Sequence, residues 1–162
     1  MNVLIVDQEE CTGCRRCELA CSFHHFQTYS LARARLHVLR DNEPEGPEGP
    51  VICTQCGLCK AACPVEGAVI RDKRTGTVLV VSKCDTKRCV QECVAACPFG
   101  VIHLDQKLNR AIKCDFCGGN PACIEACPWN VIRYIEAGSP YALNNKRTIE
   151  VRRKSRGNKT WF

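Results

Sequence analysis

CTQCGLCKAACP, from Cys53 to Pro64, holds four cysteines separated by two, two and three residues and followed by a proline. Three cysteines two residues apart can wrap three corners of a small iron–sulfur cube in a tight loop, and the fourth, one helical turn on, reaches a second cube. CTGCRRCELAC, from Cys11 to Cys21, repeats this spacing, with Ser22 in place of the proline. Two such matches in one short chain predict 4Fe-4S clusters.

Eight further cysteines form two groups with a longer first loop. KCDTKRCVQECVAACP (Lys83–Pro98) and CDFCGGNPACIEACP (Cys114–Pro128) share a Cys-Asp start, nine positions from the first to the third cysteine, and the ending Ala-Cys-Pro. They differ in the middle cysteine, which follows the first by three positions at Cys117 but by five at Cys89. The sequence therefore predicts two short-loop and two long-loop sites, and Cys89 is the one ligand left in doubt.

Composition favours metal ligation over disulfides. Cysteine accounts for 16 of 162 residues, a share typical of disulfide scaffolds or metal-cluster proteins. The start MNVLIVDQEE resembles no export signal, and no apolar run has the length of a membrane helix. We therefore expect a cytoplasmic protein without a membrane segment, in which disulfides are rare. Zinc is disfavoured because four-cysteine zinc sites usually consist of two separated C-x2-C knuckles.

The basic charge does not indicate nucleic-acid binding. The formal net charge is +6, but an oxidised cube with four thiolates carries about −2, so four cubes would leave the protein at roughly −2. Basic residues beside the cysteine loops would compensate this charge or steer an acidic partner; they are Arg15, Arg16, Lys60, Lys87 and Arg88. We expect no nucleic-acid partner.

No catalytic motif accompanies the cysteines. The chain has no G-x-G-x-x-G sequence and no P-loop, so no nucleotide or flavin site is evident. Its four histidines show no ligand spacing to one another, and His24-His25, between two phenylalanines, fits packing better than proton transfer or ligation. We expect a protein that is not itself an enzyme.

Short runs rich in β-branched residues flank every cysteine group and predict strands. NVLIVD, PVI, TVLVVS and RAIK precede the groups; RLHVLR, AVIRD, VIHLD and VIRYIE follow them. The cysteine stretches suit a loop entering a short helix. This unit of strand, loop, short helix and strand cannot bury its own face and must pair with a neighbour. The predicted fold class is therefore α+β.

Two segments fall outside this pattern. DNEPEGPEGP, from Asp41 to Pro50, is acidic and rich in proline and glycine, and predicts an exposed connection or a docking loop. The basic C-terminal tail, residues 141–162, contains no cysteine. It fits either a solvated extension or a strap that orders on a partner.

With these motifs the chain resembles the four-cluster ferredoxin subunits of the dimethyl sulfoxide reductase iron–sulfur (polyferredoxin) family, over residues 1–137. The phrase CDFCGGNPACIEACP is most similar to the small electron-transfer subunits of tungsten aldehyde oxidoreductases. The resemblance implies two bacterial-ferredoxin-like halves in nested order. Residues 1–46 plus 106–140 would form the first half, with groups one and four. Residues 47–105, inserted between them, would form the second, with groups two and three.

The same resemblance implies which cysteines share a cluster, because the fourth cysteine of each group serves the partner group. The expected sets are Cys11, Cys14, Cys17 with Cys127; Cys114, Cys117, Cys123 with Cys21; Cys53, Cys56, Cys59 with Cys97; and Cys84, Cys89, Cys93 with Cys63. Pairing group one with group three would also combine a short loop with a long one, so the loop lengths alone leave the nesting open.

The function implied is that of a non-catalytic electron-transfer subunit with four 4Fe-4S clusters. It would relay electrons between a tungsten or molybdenum oxidoreductase, of the aldehyde or formate type, and a soluble carrier such as ferredoxin or a flavoprotein subunit. The alternative is a free-standing polyferredoxin without a fixed catalytic partner. Exposed terminal clusters would also let further copies of the chain abut. A cluster-based sensor that binds DNA is disfavoured, because no helix-turn-helix segment is apparent.

Overall fold

A computed structural model describes residues 2–39 and 49–137. Short strands and helices alternate along these ranges, as the α+β prediction requires. The strands are β1 (Asn2–Val6), β2 (His37–Leu39), β3 (Gly49–Val51), β4 (Val69–Arg71), β5 (Val78–Val80), β6 (His103–Asp105), β7 (Arg110–Ile112) and β8 (Ile132–Glu136). The helices are α1 (Arg16–Phe26), α2 (Leu58–Ala62), α3 (Glu92–Ala95) and α4 (Ala122–Glu125), with 3-10 turns at Leu31–Arg33, Thr86–Arg88 and Phe116–Gly119.

The two unusual segments are largely outside these ranges. The basic tail (141–162) and residues 41–48 of the acidic connection are not described. The end of that connection differs from the prediction, because Gly49 and Pro50 are buried in β3. Pro50 pairs with Val38 of β2, a position that a two-stranded ribbon tolerates because its outer edges need no ladder donor.

The strands pair into antiparallel two-stranded sheets that link consecutive units. β2 pairs with β3, β4 with β5, and β6 with β7, so the strand that ends one cysteine unit pairs with the strand that begins the next. β8 pairs with β1, from Asn2 opposite Glu136 to Val6 opposite Ile132. The last unit therefore closes on the first.

The helices place the cysteines in a common way. The third cysteine of each group is the second residue of its helix, at Cys17, Cys59, Cys93 and Cys123. The fourth cysteine follows four positions later, one turn on along the same side. α1 packs against α4, and α2 packs against α3. Pairs of cysteine groups are thereby brought face to face.

One helix is longer than the predicted short helices. α1 has 11 residues and runs past Cys21 to Phe26. Proline, which cannot continue a helix, follows the last cysteine of the other three groups, whereas Ser22 stands here. The Ser22 hydroxyl donates to the carbonyl of Leu19 (3.0 Å) and accepts from the amide of Ser30 (3.0 Å). The exchange of proline for serine thus extends α1 and fixes the chain that leaves it.

Apolar burial is shared between two clusters, and cysteines belong to both. The larger includes Leu36, Phe116 and Ile132, and the smaller includes Val69 and Val78. Most of these side chains are small or medium in size. Cysteine sulfur therefore makes up a substantial part of the core, as expected for a chain whose clusters stabilise its fold.

Candidate iron–sulfur cluster sites

The first site is a hollow between α1 and the residues that follow α4. Cys11, Cys14, Cys17 and Cys127 line it, with about 320 Å³ of space between protein atoms. Gly13 (φ 65°) and Arg15 (φ 61°) are left-handed, which turns the loop around the hollow. Three cysteines of group one thus face the last cysteine of group four.

The second site repeats this arrangement with groups two and three. Cys53, Cys56, Cys59 and Cys97 line a hollow of about 340 Å³. Left-handed backbone recurs at the corresponding places in the loop, at Gln55 (φ 58°) and Gly57 (φ 88°). The two short loops therefore share one backbone path, as their common spacing predicts.

A third hollow, of about 350 Å³, is lined by Cys63, Cys84, Cys89 and Cys93. Apolar residues such as Val69 and Leu104 complete its wall. Cys89, the cysteine in doubt, faces the same space as the other three. Its displacement along the sequence does not carry it away from the site.

The fourth set collects the remaining cysteines, between α1 and α4. The thiols of Cys21, Cys114, Cys117 and Cys123 lie within electrostatic range of one another. Phe116 (φ 60°) and Cys117 (φ 49°) are left-handed here. The amide of Arg35 donates a hydrogen bond to Cys21 Sγ (3.3 Å), a contact that favours a thiolate.

The chemistry of these sites calls for a cation. All sixteen cysteines are free of disulfide bonds. Burial raises the pKa of Cys17 to about 12, that of Cys21 to about 11 and that of Cys93 to about 12. Four thiolates can share such a hollow only if a bound cation compensates their charge. Each set offers the four sulfur ligands that a 4Fe-4S cube requires, so the residues fit this cofactor.

A buried lysine beside the second hollow escaped the sequence analysis. Lys113 follows β7, is only 4% exposed, and lines the hollow with Cys53 and Cys97. In the sequence it ends the strand-like run RAIK and looks like an ordinary surface cation. No local pattern marks it, because its partners Gln55 and Val78 are 58 and 35 residues away.

His25 makes a contact that its neighbours in the sequence did not indicate. Its Nε2 lies 3.6 Å from Cys117 Sγ, and the ligand atoms of His24, His25 and Cys117 lie within 4.8 Å of one another. Burial, with Arg35 nearby, lowers the pKa of His25 to about 4, although Asp115 acts in the opposite direction. The 92 residues between His25 and Cys117 hide this contact in the sequence.

Sets of four cysteines held between short hairpins and short helices define a ferredoxin-like iron–sulfur protein. Models of the 4Fe-4S dicluster domain match residues 49–136 and, through a second model of that description, residues 10–69. The chain belongs to the 4Fe-4S dicluster domain family and binds 4Fe-4S clusters. Within the described residues, none of the helices has the length and apolar character needed to cross a membrane.

Similar curated proteins include subunits of several oxidoreductases. The chain is 34% identical over 122 residues to the polyferredoxin-like subunit of an aliphatic sulfonate oxidoreductase of Pyrococcus furiosus (73% of this chain, 66% of the relative). It is 32% identical over 143 residues to the beta subunit of formate dehydrogenase 2 of Nitratidesulfovibrio vulgaris (70% and 64%). It is 32% identical over 127 residues to the electron transfer subunit of a Salmonella typhi thiosulfate reductase (71% and 62%). The match spans slightly less than two thirds of each relative.

Proposed function

We propose that this chain is a non-catalytic electron-transfer subunit of an oxidoreductase complex and carries four 4Fe-4S clusters. The observation that carries the proposal is that three cysteines of one group share a hollow with the fourth cysteine of another. The proposed ligand sets are those expected from the sequence, with Cys89 included. Each cluster, when bound, takes up and releases one electron.

The proposal includes two nested halves, residues 1–46 plus 106–140 and residues 47–105, with 141–162 as a tail. The pairing of β1 with β8 and the packing of α1 against α4 support the outer half. The packing of α2 against α3 supports the inner half. An ion pair ties the halves together: Arg33 contacts Asp105 at 2.6 Å across 72 residues.

The cysteines also suggest a linear order for the four sites. Thiols from neighbouring sets lie close enough to perturb one another, in the pairs Cys17 and Cys123, Cys53 and Cys114, and Cys59 and Cys93. These contacts join the first set to the fourth, the fourth to the second, and the second to the third. The protein thereby forms a wire rather than a reaction centre.

Both ends of this order reach the surface. Trp129, 60% exposed, and Cys14, also exposed, mark the first hollow. Val90, 85% exposed, adjoins Cys89 at the third. Exposed apolar side chains beside a redox centre suit contact with a partner. One end would receive electrons and the other would pass them on.

The partner proposed is a tungsten or molybdenum oxidoreductase, of the aldehyde or formate type, with ferredoxin or a flavoprotein subunit at the other end. The names of the sulfonate oxidoreductase and formate dehydrogenase relatives support a catalytic partner. For the same reason a free-standing polyferredoxin is not favoured. We place the protein in the cytoplasm, without nucleic-acid partners, and stacking of copies is a further arrangement that the exposed ends allow.

Anaerobic purification tests this proposal. We expect about 16 iron atoms per chain and co-purification of a larger catalytic subunit with tungsten or molybdenum. About 12 iron atoms per chain would mean that one of the four sites holds no cluster. Recovery of this chain without another subunit would count against a fixed partner.

Cys89 is tested separately. Cys89→Ala should lower the iron content to between about 12 and 15 atoms, whereas Val90→Ala, at the neighbouring exposed position, should leave it unchanged. Full iron content in Cys89→Ala would show that Cys89 is not a ligand.

A further inference from the structure

Lys113 is held in the protein interior by oxygen atoms alone. Its Nζ donates to Gln55 Oε1 (3.0 Å), to the carbonyl of Cys114 (2.7 Å) and to the carbonyl of Val78. Three acceptors match the three N–H donors of an ammonium group. The side chain is therefore built in as a cation with a fixed position.

Gln55 keeps this arrangement rigid. It is 2% exposed, and its amide nitrogen donates to the same Cys114 carbonyl (2.9 Å). Its Oε1, which accepts from Lys113, also accepts from the amide of Val78 (3.0 Å). Every polar atom of this small network has a partner, so Lys113 has little freedom to move away.

The network contains a charge but no counter-charge. Across residues 2–39 and 49–137, no carboxylate forms an ion pair with Lys113. A buried charge without compensation is costly. The anionic groups that can compensate it are the thiolates of the second hollow, which Lys113 lines together with Cys53, Cys59 and Cys97.

We propose that Lys113 is the counter-ion of the cluster held by Cys53, Cys56, Cys59 and Cys97 and raises its reduction potential. The inference rests on the proposed function, because it presupposes a cluster in this hollow. Reduction adds one electron to the cluster and changes its total charge from about −2 to about −3, with no bond formed or broken. A fixed cation stabilises the more negative state more strongly, so reduction becomes more favourable.

The neighbouring third hollow is not lined by a buried lysine of this kind. Its described lining contains no lysine or arginine, and it includes the acidic residues Asp85 and Glu92. The second and third sites adjoin one another in the proposed wire. A cation that acts on the third set is Arg110, whose charge reaches Cys84 but which does not line the hollow. We therefore expect the second site to have the higher potential, with the third as an internal reference.

The test is an anaerobic redox titration of the cluster-loaded protein, followed by electron paramagnetic resonance. In Lys113→Met we expect the equilibrium constant for reduction of one cluster to fall at least tenfold, which is about 59 mV for a one-electron couple. The shifted cluster should be the one lost in Cys56→Ala. Wild-type potentials for all clusters in Lys113→Met, at full iron content, would overturn the inference.

Two controls separate charge from structure. Lys60→Met removes an exposed lysine next to Cys59, where water screens the charge, and should change the same constant less than threefold. Lys113→Arg keeps the charge and should retain most of the potential. An equal shift in Lys113→Arg and Lys113→Met, or in Lys60→Met, would contradict a charge effect at Lys113.

Loss of the cluster in a variant is also decisive. Lys113→Gln supplies hydrogen-bond donors without charge. Loss of iron in Lys113→Met and Lys113→Gln but not in Lys113→Arg supports the counter-ion role, and loss in all three contradicts it. A wild-type protein without a cluster at this site would instead refute the proposed function, so the two failures are distinguishable.

Discussion

The two long loops, residues 84–93 and 114–123, begin with the same aspartate hydrogen bond and then diverge. In each, an aspartate follows the first cysteine and its carboxylate accepts a backbone hydrogen bond from the residue two positions on. For Asp115 that residue is the middle cysteine, Cys117 (3.0 Å), whereas for Asp85 it is Lys87 (3.0 Å). Cys89 then comes two residues later. The shared hydrogen bond accounts for the Cys-Asp start. The backbone after it differs, because Phe116 and Cys117 are left-handed whereas Thr86–Arg88 form a 3-10 turn.

The loops also differ in how firmly they are held. Phe116, in the second loop, is 2% exposed and packs edge to face on Tyr134 at 5.3 Å. Asp115 forms an ion pair with Arg35 at 2.6 Å. In the first loop the apolar residue is Val90, which is 85% exposed. The same ligand frame is thus built once as part of the core and once as a surface loop, which suits an inner site and a terminal site of the proposed wire.

Among the substitutions that test this contrast, Phe116→Ala should have the largest effect on the free energy of unfolding. Removing a buried phenylalanine costs about 3–5 kcal/mol of unfolding free energy. The corresponding change in the other loop, Thr86→Ala, should cost less than about 1 kcal/mol. Anaerobic denaturant titration of the cluster-loaded protein, followed by circular dichroism, measures both. Equal losses would mean that the two loops contribute alike to the core.

Replacing the aspartates should give a smaller difference. Although burial alone would raise it, the pKa of Asp115 lies below its ordinary value because Arg35 stands beside it, so the carboxylate is charged at neutral pH. Asp115→Ala removes the turn and leaves Arg35 unpaired, and we expect a loss of about 3 kcal/mol. Asp85→Ala removes only a turn and should cost about 1 kcal/mol. The same titrations apply, and a larger loss in Asp85→Ala would reverse the contrast.

We expect acidification to destabilise the second long loop, residues 114–123. The reason is that Arg35, the ion-pair partner of Asp115, lies in a segment that also contains a titrating histidine. Arg35 is two residues from His37, whose ring lies edge to face against His103 at 5.2 Å and near Glu18. Burial, with His103 and Arg15 nearby, lowers the pKa of His37 to about 4. Since this pKa lies below the unfolded value of about 6.5, stability is complete above that pH and decreases as pH falls toward 4.

From pH 7 to pH 5 we expect His37 to account for a loss of about 2 kcal/mol. Hydrogen exchange should show the amide of Cys117 losing protection before that of Lys87. His37→Gln, which cannot titrate, should lack this part of the pH dependence. If the unfolding free energy of His37→Gln keeps the wild-type pH dependence, another group is responsible for the effect.

Most of the fold could be predicted from the sequence because its signals are local. The strands lie within the β-branched runs, except that β3 begins one residue earlier at Gly49, and the paths of the two short loops follow the cysteine spacing. The Cys-Asp pair that begins both long loops is also a local signal, because the aspartate side chain can form its hydrogen bond to the nearby backbone without help from distant residues. The length of α1 also had a local signal, because Ser22 stands where the other three groups have proline.

The environment of the sites was less accessible, because it depends on contacts between distant residues. The sequence does not distinguish buried Lys113 from exposed Lys60, since the partners of Lys113 come from two other units. The contact between His25 and Cys117 arises only when α1 packs near the fourth set. Cysteine spacing therefore predicts ligands, whereas the charges that tune them follow from the tertiary fold.

The smallest expected effect is that of replacing Val90, the exposed apolar residue of the first long loop. Because this side chain is 85% exposed, Val90→Ser should change the unfolding free energy by less than about 0.5 kcal/mol and leave the iron content intact. A loss above about 1 kcal/mol would show that the loop is packed as tightly as its counterpart. A side chain that adds nothing to stability, yet presents an apolar surface beside Cys89, is free to serve contact with a partner. Slower electron transfer to the catalytic subunit in Val90→Ser, at unchanged stability, would locate that contact at this end of the wire.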